Sequence, residues 1–199
     1  MSRRHPPILN ASVDESIWRI MQFLYVRRDA NGERLTYKIG KPEKKEDGWF
    51  KCDWLNFDPG ALENSGLWKA AYHGSKMEAL YSIMFQGRLK PSLDNIKQDV
   101  RAVYCHDEET REKSYGYARF MPLFGDGVMW QVVWQVRVDR NRAVKLSRGR
   151  RKDTDQWAQE PSSVHLEAVW FHGVLHENMV NNSEFSEIWN PMIEAHPLD

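Results

Sequence analysis

Met129-Trp130-Gln131-Val132-Val133-Trp134-Gln135-Val136-Arg137-Val138 carries Trp130, Val132, Trp134, Val136 and Val138 at every second position, with Gln131, Val133, Gln135 and Arg137 between them. A period of two marks a β-strand, because successive side chains leave opposite faces of the pleat. One face of this strand is strongly apolar and needs a core to cover it. Upstream, Trp68-Lys69-Ala70-Ala71-Tyr72-His73 reads as a further strand closed by Gly74-Ser75. Lys76 to Phe85 then sets Met77, Leu80, Tyr81 and Met84 on one helical face, with Gly87 as a natural stop.

Asp99 to Cys105 predicts a short strand around Val100, Ala102, Val103 and Tyr104, and Glu108 to Phe120 predicts a helix with Asp107 at its head. Val164 to Leu175 predicts a strand pair or one long strand. Nearer the start, Ile17, Trp18, Ile20, Met21 and Leu24 recur at helical intervals from Ser16 to Tyr25, with Asp14 or Ser16 available as the cap. Leu24-Tyr25-Val26 and Leu35 to Ile39 flank Asp29-Ala30-Asn31-Gly32, where Asn-Gly signals a hairpin turn. Lys41 to Asp47 is charged and predicts an exposed loop, and residues 1–12 predict a loose basic terminus. These elements predict an α+β fold.

The chain has 199 residues, enough for one domain with a real core, alone or with a sizeable extension. Lys plus Arg number 28 and Asp plus Glu 28, so no global field draws the chain to nucleic acid or membrane, and electrostatic recognition has to be local. The densest local charge is the insert from Lys145 to Lys152, with five cations, although Asp153 and Asp155 follow it and a solvated loop explains it equally well. The nine tryptophans have core packing as their ordinary role. Cys52 and Cys105 form no disulfide framework, and no signal-peptide pattern is visible, so an intracellular location, cytoplasmic or nuclear, is expected. No apolar run approaches the roughly 20 residues of a membrane helix, so no membrane partner is expected. A metal site built from Cys52, Cys105 and His106 has unsuitable ligand spacing, so no metal is expected.

Three stretches carry candidate chemistry. Ala71-Tyr72-His73-Gly74-Ser75 ends a strand on an imidazole that can bond a ribose hydroxyl, followed by a glycine whose backbone a flat amide can approach closely. Lys113-Ser114-Tyr115-Gly116-Tyr117-Ala118 sets Ser114 three residues before Tyr117, on one face of the predicted helix. His165-Leu166-Glu167-Ala168-Val169-Trp170-Phe171 puts a carboxylate in an apolar strand, where Glu167 either faces solvent or lines a site, since an unpaired buried charge is costly.

In order and context these stretches resemble the His-Tyr-Glu constellation of the ADP-ribosyltransferase fold, in its diphtheria-toxin and poly(ADP-ribose) polymerase branch. The resemblance runs from about Trp68 to Leu175. It implies split, bent, antiparallel-rich sheets flanked by short helices, with 1–66 as an N-terminal extension packed on a catalytic core at 67–180 and a polar tail at 181–199. It also implies an NAD-dependent transferase that releases nicotinamide and passes ADP-ribose to a protein or nucleic-acid acceptor, by mono-transfer rather than polymer formation.

By the same resemblance Gly74 and Ser114 clamp the nicotinamide amide, and Tyr117 stacks on its ring, with Tyr115 a rival for that place. Tyr104, at the end of Ala102-Val103-Tyr104-Cys105, walls the other side. Ser75 and His73 complete the NAD-binding set, His73 holding ribose hydroxyls of either half, and Glu167 is the catalytic carboxylate. Two departures stand out: Ala102 replaces the family's usual glycine, and Tyr104 and Tyr117 lie two positions further apart than in the commonest pattern. His165, two before Glu167, argues against a guanidine acceptor. The competing expectation is a catalytically silent module of the same fold that binds ADP-ribose, nucleic acid or protein.

Overall fold

In a computed structural model of the protein, residues 12–25, 39–62, 68–91, 101–142 and 156–181 are described. The apolar alternation at 129–138 lies in strand β6 (Val128–Asp139), which pairs with β3 (Trp68–Ser75) on one side and β8 (Val164–Leu175) on the other. Around them stand β1 (Glu43–Lys44), β2 (Trp49–Asp53), β4 (Val103–Asp107) and β7 (Gln156–Gln159), in the order β1-β2-β8-β6-β3-β4-β7, while β5 (Met121–Pro122) pairs with β6 off that path. Every pairing is antiparallel. The helices are α1 (Val13–Tyr25), α2 (Leu80–Gln86), α3 (Arg111–Tyr115) and α4 (His176–Asn181). The architecture is α+β: one antiparallel sheet of eight strands with a few short helices.

The even-numbered face of β6 makes the main core. Trp130, Val132, Trp134, Val136 and Val138 join Ile17, Ile20, Met21 and Leu24 of α1, Leu80, Ile83 and Met84 of α2, and Phe50, Val169 and Phe171 of the sheet. The two buried indoles find acceptors, Trp130 on Ser16 Oγ at 3.2 Å and Trp134 on Ser75 Oγ at 3.1 Å, which offsets the loss of water at each N–H. The odd-numbered face is covered as well. Trp49, Tyr72, Ala118, Val133, Ala168 and Trp170 form a second cluster there, with Tyr115 packed against it.

Several expectations change. The helix predicted from Ser16 begins at Val13, and its cap is Ser12, whose Oγ accepts Glu15 N–H while Glu15 Oε2 accepts Ser12 N–H, a reciprocal capping box. Asp14 instead meets Lys44 at 2.7 Å, and Ser16 is buried. Leu24 and Tyr25 end this helix rather than starting a strand; the rest of the predicted Asn-Gly hairpin, residues 26–38, lies outside the described residues. The expected loop at 41–47 holds β1 and turns at Gly48, φ +81°, into β2, a strand that no clear alternation announced. Since β2 pairs with β8 along its whole length and α1 lines the core, α1 and β2, which precede residue 67, share the same interior and sheet as the rest of the described residues.

Gly87 stops α2 in the left-handed conformation, φ +64°, as expected of a helix terminator. The helix expected over 108–120 is shorter: a 3-10 turn at Glu108–Thr110 leads into α3, which closes at Tyr115 before Gly116. Val164 to Leu175 is one long strand, and β7 and α4 were not anticipated. The basic segment 145–152 and the tail from 182 lie outside the described residues. Among the described residues no helix is long and apolar enough to cross a membrane.

A buried polar knot fastens α1 to the sheet. Asp126 is 1% exposed, accepts Ser16 Oγ–H at 2.6 Å and Val128 N–H at 3.2 Å, and meets Arg19 Nη1 at 3.3 Å. Replacing Asp126 by Ala strands the Ser16 hydroxyl and removes charge-assisted bonds each worth about 1.5–3 kcal/mol. Asp126→Ala is expected to lower stability by about 3 kcal/mol in chemical denaturation, and unchanged unfolding midpoints would refute the structural role given to the knot.

Candidate functional site

Strands β3 and β4 are joined by only two residue pairs, Ala71 with Asp107 and Tyr72 with His106. β3 nevertheless continues to Ser75 and stays in register with β6 throughout, and β4 begins at Val103 and stays paired with β7. The sheet therefore opens between β3 and β4 beyond Tyr72. At this opening His73 Nδ1 stands 2.7 Å from the Tyr104 carbonyl oxygen, a side-chain bond where ladder bonds have ceased. A carbonyl only accepts, so Nδ1 carries the proton, and in the neutral ring Nε2 presents a lone pair. Burial pushes the His73 pKa below its ordinary value, against a smaller opposing effect of the Tyr104 bond, and so favours that neutral form.

Gly74 follows with a packing role of its own. A Cβ there would lie 1.9 Å from the Ser114 carbonyl oxygen and 3.1 Å from Ala118 N, so the end of α3 rests directly on the strand and only hydrogen fits between them. Gln131 completes the junction, its Nε2 donating to the carbonyls of Tyr115 at 3.0 Å and Ala118 at 2.6 Å, the first of which also accepts Ala118 N–H. Ser114 is fully buried, and its hydroxyl donates to Arg111 O at 2.6 Å. Tyr115 packs its ring 4.7 Å from that of Trp49. Tyr117 stands past the helix, 48% exposed, with its ring 5.9 Å from the His106 ring.

Of the expected amide-binding group, the Tyr104 ring packs with Ala102 and Ala158 and Tyr117 lies beside His106, while His73, the Tyr104 carbonyl, Gly74 and the Ser114 backbone come together at or next to this opening. Tyr115 does not: it is turned onto the Trp49 cluster. Tyr117 is not on one helical face with Ser114, because Gly116 ends the helix between them, and Ser75 faces the main core as acceptor for Trp134.

Glu167 sits elsewhere. On β8, Leu166 is opposite Val136 and Ala168 opposite Gln135, so Glu167 is the extra residue of a β-bulge. Its carboxylate lies against Arg137: Nη2 donates to Oε1 at 2.8 Å, and Nε approaches Oε2 to 2.8 Å, an ion-pair contact not aligned as a second hydrogen bond. Glu167 is 14% exposed and Arg137 35%. Nearby on the same sheet face, Arg111 spans the rings of Tyr72 and Trp170 at 5.7 and 5.3 Å and bonds Asp47 at 2.8 Å. Burial, helped by Glu108, raises the Tyr72 pKa, with Arg111 opposing and Glu167 adding a smaller push.

No family model matches the chain, and no curated protein matches it.

The register assigns the groups to faces. His73 is opposite Trp134 and so lies on the main-core side, whereas Glu167 joins Arg137, whose partner across β3 is Ala70, on the α3 side. At the opening between β3 and β4 the chain offers a tautomer-fixed imidazole and glycine backbone, while the Ser114 hydroxyl is buried on Arg111 O and the Tyr104 ring packs with Ala102 and Ala158. Among the described residues no group of three or more His, Cys, Asp or Glu converges to hold a metal. Cys52 and Cys105 are free, with thiols pushed up by burial to about 12, and are poor nucleophiles.

Arg137, Arg111 and Tyr72 were not singled out as candidates. Arg137 stood in the polar row of the central strand, but only the β6–β8 register ties it to Glu167.

The contact at Gly74 gives a sharp expectation. Gly74→Ala pushes a methyl into backbone that cannot rotate away, so the variant is expected to lose about 3 kcal/mol or more of stability and to speed amide exchange over 111–118. Wild-type stability would overturn the close approach.

A second expectation concerns acid. Burial lowers the pKa of His73 and of His172, the latter stacked 4.9 Å from Trp49. As pH falls below the ordinary value of 6.5, the unfolded chain takes up protons that the folded chain resists, so stability is complete above that pH and declines below it. The slope is at most about 1.4 kcal/mol per pH unit for each histidine. Thermal melts at about pH 7.5 and pH 5.5 are expected to show a fall that His172→Phe makes shallower; equal melting at both values would contradict the assignment.

Proposed function

We propose that this protein is an NAD-dependent ADP-ribosyltransferase of the His-Tyr-Glu type, acting by single transfer onto a protein or nucleic-acid acceptor. The observation that carries the reading is the opened edge between β3 and β4, where His73 meets the Tyr104 carbonyl and Gly74 meets the Ser114 carbonyl, with Tyr117 exposed just past α3. In this reading the split of the sheet frees strand-edge backbone at Gly74 for the nicotinamide amide. Ser114 turns its hydroxyl from Arg111 O toward the same amide by one side-chain rotation, and Tyr117, exposed at the rim, closes over the ring. His73 Nε2 accepts a ribose hydroxyl, with the tautomer set by the Tyr104 carbonyl.

Glycosidic cleavage of NAD develops positive charge on the ribose, so it benefits from a fixed carboxylate and from exact placement more than from a strong acid. Glu167 supplies the carboxylate on the α3 side. Because His73 and Glu167 lie on opposite faces, this reading sets the nicotinamide ribose toward Glu167 and the adenosine half toward His73, on the two sides of the β3–β4 edge. No metal enters this scheme.

A specific observation favours the second reading, a catalytically silent binding module: Glu167 Oε1 and the Ser114 hydroxyl already have hydrogen-bond partners within the chain, and Oε2 is buried against Arg137 Nε. Nicotinamide release separates the two. Glu167→Gln keeps shape and removes charge, so a transferase is expected to lose about a hundredfold or more in turnover while NAD affinity by calorimetry stays near wild type. Equal turnover in wild type and variant would reject Glu167 as catalytic; NAD binding without turnover, with protein and nucleic-acid acceptors supplied, would establish the binding module instead.

A further inference from the structure

We propose that Arg137 is the positioning residue that aims Glu167, an inference that rests on the transferase reading of that carboxylate. A bulge residue has no directly opposed partner to fix its direction, and bulges commonly re-aim a side chain. Glu167 has this position between the pairs Leu166–Val136 and Ala168–Gln135. Two contacts remove the freedom. Its carbonyl oxygen accepts Trp54 N–H at 2.8 Å, which ties the bulged backbone to the chain just after β2. Its carboxylate meets Arg137 side-on, Nη2 at 2.8 Å from Oε1 and Nε at 2.8 Å from Oε2.

A two-point grip by a planar guanidinium sets the plane of the carboxylate, which a single ammonium does not. It also leaves acceptor capacity. A carboxylate has about four lone-pair sites, and Arg137 takes one of them, on Oε1, while Oε2 has the ion-pair contact with Nε and no hydrogen bond. Glu167 can therefore be held by Arg137 and still accept a ribose hydroxyl. Arg137 is itself well anchored: it projects from β6, paired on both sides with Ala70 and His165, and two residues before it Gln135 Oε1 accepts Trp170 Nε1 at 2.9 Å. The pair sits at the margin of the covered face, with Arg137 35% exposed, within reach of a ligand.

The test compares wild type, Arg137→Lys, Arg137→Gln, Glu167→Gln and the double variant Arg137→Gln/Glu167→Gln, with nicotinamide release for kcat and KM, calorimetry for NAD affinity, and thermal melting for folding. Both Arg137 variants are expected to lose roughly ten- to hundredfold in kcat, as misplacement of a reacting group does. KM and NAD affinity should stay within about twofold of wild type. Lys is not expected to rescue, because it restores charge without the fork, and the double variant is expected to be no slower than Glu167→Gln alone. Wild-type or raised kcat in Arg137→Gln, or independent losses that multiply in the double variant, would overturn the positioning role while leaving the transferase reading intact. A wild type that releases no nicotinamide would overturn both.

Discussion

The absence of a side chain at Gly74 lets the end of α3 lie on β3, and much of the arrangement depends on that contact. With Ser114 O where a Cβ would be, the helix is too close to the sheet for any other residue. The same contact holds Arg111, one turn earlier, over Tyr72 and Trp170, and it brings the 116–118 turn to the opening beside β4. Gln131 donates to the Tyr115 and Ala118 carbonyls just past the helix, so its amide nitrogen is satisfied although the strand is covered on both faces. Close approach, helix end and polar satisfaction are one piece of design, and each fails without the others.

Loss of pairing between β3 and β4 is the second feature with functional weight. A sheet interior normally offers no free backbone, and an opening within it exposes strand edges in a place shielded from bulk water. His73 bridges that opening by a side-chain bond to the Tyr104 carbonyl, so the imidazole both steadies the gap and has its tautomer set by it. Across β6 the register breaks again, at Glu167, where the extra residue puts a carboxylate beside Arg137. Two interruptions in different ladders of one sheet thus place these polar groups, as bulges and broken pairing commonly re-aim side chains.

Local pattern revealed much of the scaffold. The alternation around Trp130 to Val138 identified the central strand and its core face, the strand ending at Gly74-Ser75 ran two residues further than its apolar part, and Gly87 ended its helix. Failures came where neighbours override pattern. Trp49 to Asp53 has no clear period because β8 beside it and the clusters on both faces bury it, and the helix expected to reach Phe120 stops at Tyr115 because Gly116 follows. Ser12 was passed over as a cap in favour of nearer polar residues, although Ser12 and Glu15 have the spacing of a capping box.

What the sequence by itself determined is the kind and order of the groups: a His-Gly step ending a strand, a serine and tyrosines in a helix-forming stretch after Asp107, and a carboxylate in an apolar strand, within an α+β chain. Those follow from short-range period and residue chemistry, which act over a few bonds. Only the tertiary structure decided that Ser75 belongs to the core, that Tyr115 packs on Trp49 rather than at the opening, that Glu167 is a bulge residue gripped by Arg137, and that His73 and Glu167 face opposite sides of the sheet. Each of these depends on cross-strand register, and register is set by the burial of both faces at once, a condition that no single segment contains.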